Sequence, residues 1–189
     1  MAILTEAEVI ARSRTVSRST KLIKSSNEAY ASSETFDVFL SHSSNEPSEI
    51  IFGIKGLLED AQLKVYLDKV DDPQMSPAHV TPETAEILRV RMRQSRSLLY
   101  VYSRHSTQSR WMPWELGFFD GVKGTVGILP VVQHTQNIFK GEEYLGVYPY
   151  VDFVGVANSS DKKLWINSSV NEYADLARWV KGFERIRKR

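Results

Sequence analysis

No cysteine occurs among the 189 residues. Disulfides, thiolate zinc sites and cysteine nucleophiles are therefore excluded, and the composition fits a reducing cytoplasm, where the chain is expected to work. Histidine is sparse too. His42, His79, His105 and His134 are scattered, with no pair at metal-ligand spacing, so no bound metal is expected. No apolar run approaches the roughly 18–20 residues that cross a bilayer, and the N-terminus lacks the continuous apolar stretch of a signal peptide. Neither sign of charge dominates. Lys and Arg total 24 against 23 Asp and Glu, a formal net charge of +1, which gives no global reason to expect nucleic acid or an anionic membrane as partner. The phosphate-cradling patterns G-x-G-x-x-G and G-x-x-x-x-G-K-[ST] are absent, so neither a dinucleotide redox site nor a P-loop is indicated. G-x-S-x-G is absent as well, and with it the glycine-flanked serine elbow.

What the chain does have is alternation. Residues 36–41, Phe-Asp-Val-Phe-Leu-Ser, read as a short buried strand that breaks into a polar turn at 42–47. Pro47 opens a helix whose apolar face is Ile50, Ile51, Ile54, Leu57 and Leu58. Residues 63–68 predict a second strand. Residues 69–80 predict a loop, since Asp71, Asp72, Pro73, Ser76 and Pro77 are turn formers. Thr81-Pro82-Glu83 joins an N-cap, a first-turn proline and an acid. The helix it starts should bury Leu88 and Met92 and leave Arg89, Arg91, Arg93 and Arg96 solvated or at an interface. Residues 97–102 and 127–132 read as further strands and 150–154 as a short edge strand. Residues 157–168 look loop-like, and Val170, Tyr173, Leu176, Ala177, Val180 and Phe183 predict a last amphipathic helix with a basic end.

Residues 1–34 stand apart, with no Pro, Gly or Trp. Val9, Val16, Ile23 and Tyr30 form one narrow stripe, but the companion positions are polar, which rejects a self-sufficient coiled coil. A helical or partly disordered extension is expected, docked on the body or on a neighbouring subunit. The remainder, 35–189, then forms one α/β domain. Its alternating elements predict a flavodoxin-like three-layer sandwich: a parallel sheet of four or five strands with helices on both faces. Ligands of such sheets bind beyond the carboxyl ends of the strands. Ser41–Ser44, Lys69–Val80 and Ser103–Glu115 should therefore surround one cleft.

The densest stretch is residues 109–121, SRWMPWELGFFDG. Pro113 is tolerated in a first helical turn, which predicts Glu115 in that opening turn, with Leu116, Phe119 and Val122 facing the core. Trp111, four residues earlier, shares its face. Glu115 could simply complement the positive end of the helix dipole. Flanked by two aromatic rings where a loop becomes a helix, it is also a candidate reactive group, expected to be ionised at neutral pH. Ser41-His42-Ser43 is poor evidence for a serine hydrolase, because neighbours on an extended segment point to opposite faces. A lone carboxylate suits another task, stabilising an oxocarbenium-like sugar centre. Nicotinamide on ribose is already cationic and leaves as a neutral molecule without protonation. Cleavage of NAD can therefore proceed with one glutamate, with Tyr102, Trp111 and Trp114 as stacking surface. Core packing is the competing reading for the tryptophans.

The succession FDVFLSHSS, then VYLD with a long Pro/Ser loop, then SRSLLYVYSRHSTQSRWMPWEL, resembles a bacterial TIR (Toll/interleukin-1 receptor) domain. The resemblance is strongest over residues 35–132. Its most specific phrase is S-x-W-x-x-x-E-L at Ser109, Trp111, Glu115 and Leu116; Met112 stands where family members often have cysteine. The resemblance implies that Glu115 is the catalytic residue of an NAD+ nucleosidase that yields nicotinamide and a linear or cyclic ADP-ribose product, with NAD+ as substrate and no cofactor. It implies that Ser41, His42, Ser43, Asp68, Lys69 and the 69–80 loop line the nucleotide site. That loop would also mediate the self-association on which activity depends. A role in antiphage defence, with the product acting on a separate effector protein, is implied likewise. Two alternatives remain. One is a non-catalytic TIR adaptor working through the same loop. The other is an enzyme like the nucleoside 2-deoxyribosyltransferases, whose nucleophilic glutamate lies in a similar Glu-Leu-Gly setting.

Overall fold

Residues 98–102 are apolar or aromatic throughout because both faces of the strand they belong to are covered. In the computed structural model, which describes residues 2–16, 34–71, 81–134, 143–156 and 161–188, this strand, β4 (Ser95–Tyr102), lies inside a nine-stranded sheet. Strand β1 (Leu4–Thr5) and helix α1 (Glu6–Val16) come first. They are followed by β2 (Phe36–Ser41), α2 (Ser48–Asp60), β3 (Val65–Tyr66), the single turn α3 (Asp68–Asp71) and α4 (Pro82–Gln94). After β4 come α5 (Trp111–Lys123), β5 (Val126–Val132), β6 (Tyr150–Gly155), β7 (Lys162–Ser169) and β8 (Glu172–Asp175). The short helix α6 (Leu176–Val180) and β9 (Arg187–Lys188) close the chain.

The sheet order is β3-β2-β4-β5-β6-β7-β8-β9. Strands β3 to β6 run parallel, and β7 to β9 are added antiparallel. Period-two alternation sends side chains to two cores. Val38, Leu40, Val65, Leu67, Leu99 and Val101 meet α2 and α1 on one face through Ile50, Ile51, Ile54, Leu58 and Val9. Phe36, Phe39, Tyr66, Leu98 and Tyr100 meet α4 and α5 on the other through Leu88, Met92, Met112, Leu116 and Phe119. Helices thus cover both faces of a mostly parallel sheet, the flavodoxin-like arrangement expected. No helix among the described residues is long and apolar enough to cross a membrane.

Local signals hold where they were strong. The Thr81 hydroxyl accepts from the Thr84 N–H at 3.3 Å and caps α4. Helix α5 ends on Gly124 in the left-handed conformation (φ 68°), whose N–H donates to the Asp120 carbonyl at 3.0 Å.

Several expectations are corrected. Residues 150–154 form an interior strand, because 162–169 is a strand and not a loop; Leu164 and Ile166 point inward with period two. The last amphipathic helix does not form. Val170 and Asn171 turn the β7–β8 hairpin, α6 spans five residues, and Val170 and Phe183 are exposed. The basic end belongs partly to β9 rather than to a helix terminus. Val122 faces solvent. Arg91 is buried, its guanidinium 5.7 Å from the Tyr66 ring centre and 3.1 Å from the Gln94 side-chain oxygen, so its stem packs under α4.

Residues 2–5 are built into the sheet. Strand β5 pairs with β6 at Ile128–Tyr150 and with β1 further along, at Leu4–Val131 and Thr5–Val132. The Phe153 N–H donates to the Ala2 carbonyl, so the N-terminal segment fills the gap where β5 and β6 part. Thr5 and Glu8 form a reciprocal capping box at the start of α1, with contacts of 3.0 and 3.3 Å. Helix α1 lies against α2 at Gly53, where a Cβ would sit 2.0 Å from the Val9 carbonyl oxygen. The stripe positions Ile23 and Tyr30 lie outside the described residues, as does residues 72–80 of the expected loop.

Candidate active site

The chain leaves β2 towards β3 on one side and returns past it to β4 on the other, so the sheet's switch point lies between β2 and β4. Ser41 ends β2 there, paired in register with Tyr100 of β4. It follows Phe39 by two residues, which turns its side chain to the α4–α5 face. On that face α5 supplies Glu115, and the Ser41 hydroxyl donates to the Glu115 carboxylate at 2.6 Å. The pair is buried, Ser41 at 1% and Glu115 at 8% exposure.

Helix α5 begins at Trp111, two residues before Pro113. Proline is accommodated because the first turn's N–H groups have no intrahelical partner, and Glu115 consequently stands one turn into the helix. The expectation of a first-turn glutamate is corrected, and its ionisation is opposed by burial. Burial pushes the Glu115 pKa up to about 7. The Ser41 hydrogen bond and the neighbouring His42 oppose that rise, and Asp68 adds to it. This carboxyl is poised to gain or lose a proton in the neutral range, as acid–base groups are in enzymes.

His42 begins the loop after β2, its side chain only 3% exposed. Its Nε2 lies 2.9 Å from Asp68 Oδ1 and its Nδ1 2.9 Å from the Ser43 carbonyl oxygen. Asp68, a third exposed, opens α3 just beyond β3. The structure thus brings Ser41, His42, Asp68 and Glu115 to one place. Tyr102 is half-buried at the end of β4 and packs on the same core face.

The other candidates are placed differently. Ser43 is buried and its hydroxyl accepts from the Asn45 N–H at 3.3 Å, a turn contact. The Ser109 hydroxyl accepts from the Met112 N–H at 3.3 Å and braces the start of α5. Trp111 and Trp114 meet edge to face with centres 5.2 Å apart. Trp114 also stacks on Phe118 at 6.0 Å, with the Arg89 guanidinium 5.4 Å from its ring centre, so it is engaged along the α4–α5 surface. Met112 is wholly buried. The Lys69 side chain lies outside the described residues.

Two features went unread in the sequence. Buried Glu46 accepts from the Ser103 hydroxyl at 2.5 Å and staples the loop after β2 to the loop after β4. Nothing in SHSSNEP distinguishes that carboxylate from a solvated turn residue. Tyr100 is buried beneath the site, its hydroxyl hydrogen-bonded to Tyr144 and close enough to Glu115 to feel its charge, and burial above all raises its pKa. The alternation of Leu98, Tyr100 and Tyr102 is the signal that could have found it.

The chain is similar in sequence to known proteins. A family model described as TIR domain matches residues 38–165. A Bacillus cereus (strain MSX-D12) protein named "Probable 3' cyclic ADP-D-ribose synthase ThsB'" is 39% identical over 160 residues, 84% of this chain and 82% of that one. A Cytobacillus dafuensis protein named "Putative cyclic ADP-D-ribose synthase TIR2" is 29% identical over 99 residues, 52% of this chain but 25% of its own length. Among solved structures, the TIR domain of the Toll-related receptor TRR-2 from Hydra magnipapillata aligns with a TM-score of 0.40 at 18% identity, over 55% of this chain and 75% of that one.

Proposed function

This chain belongs to the TIR-domain family, and from that premise we propose that it cleaves the nicotinamide–ribose bond of NAD+ at Glu115 and closes the remaining ADP-ribose into a ring. The observation that carries the reading is the buried Glu115 carboxylate, held by Ser41, at the switch point of the sheet. As the C–N bond breaks, its electron pair goes to the nicotinamide nitrogen. The leaving group becomes neutral and needs no acid. Positive charge develops on the ribose, and an ionised Glu115 on its face stabilises it. Burial strengthens that interaction by removing water between the charges.

A hydroxyl of the same molecule then attacks the anomeric carbon and must lose its proton. Glu115, with a pKa of about 7, can accept it. A desolvated site favours this internal hydroxyl over water, and the names of the two bacterial relatives agree with a cyclic product. Tyr102 and Trp111, half-buried on the same face, supply aromatic surface for the substrate's rings. We further propose that the chain works as an assembly joined through the Lys69–Val80 segment, so turnover should rise with protein concentration. The same reading assigns the product to a separate effector protein in antiphage defence.

The test is product analysis in heavy-oxygen water. Nicotinamide should appear together with a product lighter than ADP-ribose by one water and free of label. Labelled linear ADP-ribose as the main product would overturn the cyclase reading and leave the glycosidase one. Absence of nicotinamide at every protein concentration would overturn both.

A further inference from the structure

His42 poses a proton-counting problem. Its Nδ1 faces the Ser43 carbonyl oxygen and its Nε2 faces a carboxylate oxygen of Asp68, each at 2.9 Å. A carbonyl oxygen can only accept, and so can an ionised carboxylate. Neutral imidazole carries one N–H, so either tautomer would set a ring lone pair against an oxygen lone pair in a buried place. Two N–H groups satisfy both contacts at once. We propose that His42 is held as an imidazolium through the neutral range, clamped between Ser43 and Asp68, and that its charge offsets that of Asp68 beside Glu115.

The electrostatics follow from the neighbours. The described ionisable groups that face the ring include Asp68, from the turn after β3, and Glu115, from α5. An ionised Asp68 beside buried Glu115 raises the cost of ionising it unless a cation intervenes. The His42 side chain is 3% exposed, so water screens its charge little. With both N–H groups engaged, the ring is a positioning residue. It fixes the loop after β2, and with it the Ser41 hydroxyl that holds Glu115, and it balances Asp68. This role rests on the proposed NAD+ cleavage for its consequence in turnover, but the protonation of the ring does not.

The first measurement is therefore made on the protein alone. Nitrogen NMR of the histidine-labelled chain at pH 8 should show one imidazole with both nitrogens protonated, and that signal should vanish in His42→Gln. A neutral tautomer at His42 would overturn the proposal whatever the enzyme does. The second is the pH profile of nicotinamide release. His42→Gln removes the positive charge beside Asp68, and the acidic limb should move upward by about one unit, about a fivefold loss at pH 7 that narrows as pH rises. In His42→Gln/Asp68→Asn both charges are gone, and the limb should return towards the wild-type position. A merely structural histidine would lower the rate equally at all pH values and would not be rescued by the second change. Either of those results overturns the electrostatic role.

Discussion

Replacing Glu115 by glutamine should make the protein more stable, by an amount that depends on pH. In the folded chain its pKa is raised from 4.5 to about 7, chiefly by burial. At about 1.4 kcal/mol per unit, ionising this group where it sits costs about 3 kcal/mol more than ionising it in the unfolded chain. The sign follows from linkage. A raised folded pKa means that stability is intact below the unfolded value and is lost as pH climbs through the folded one. Glutamine fills the same space and keeps an oxygen for the Ser41 hydroxyl, but never ionises. Wild type should therefore lose about 2–3 kcal/mol relative to Glu115→Gln between pH 5 and pH 8, which for a chain of this length is about 5–10 °C in Tm. Urea or thermal unfolding of both proteins at both pH values gives the difference, and titrations common to the two cancel. Parallel stability curves would refute the claim that a buried charge is maintained at this position at the expense of the fold.

Other expectations follow from the same geometry. The kcat/KM for NAD+ cleavage should rise through about pH 7 as Glu115 ionises; a profile flat from pH 6 to 8 would speak against the assignment. Ser41→Ala removes the hydrogen bond that holds the Glu115 pKa down, so this limb should shift upward, with roughly a tenfold loss at pH 7; an unshifted limb would show that Ser41 does not tune the carboxylate. Gly53→Ala places a Cβ 2.0 Å from the Val9 carbonyl oxygen. It should cost about 2–3 kcal/mol in urea unfolding and release α1 amides to hydrogen exchange, whereas an unchanged midpoint would show that α1 does not seat against α2.

How much of this was legible in the sequence depended on whether the signal was local. The parallel strands were readable because their apolar runs are bounded by turn residues, and Thr81-Pro82-Glu83 marked α4 through capping chemistry that needs no tertiary context. That Ser41, Asp68 and Glu115 meet was legible from topology, since they lie at the end of β2, just after β3 and one turn into α5. The C-terminal region misled because Leu176, Ala177 and Val180 have helical spacing, while the hairpin before them depends on pairing Trp165 with Asp175 and Ile166 with Ala174. The rise in the Glu115 pKa went unread for a related reason. Helix position argues for ionisation, but desolvation by β2 and β4 outweighs it, and burial is a property of the assembled sheet. Likewise β1 is two residues long, and nothing in Leu4-Thr5 announces that they complete the seam between β5 and β6.

The central claim is that Glu115 carries the chemistry. The most direct measurement incubates wild type and Glu115→Gln with NAD+ at equal, high protein concentration, after near-identical circular dichroism has been established, and follows nicotinamide by chromatography. The account predicts steady release by wild type and release lowered at least a thousandfold in the variant, on the order expected when the group that stabilises the transition-state charge is lost. Nicotinamide release by Glu115→Gln at a rate near that of wild type would contradict it.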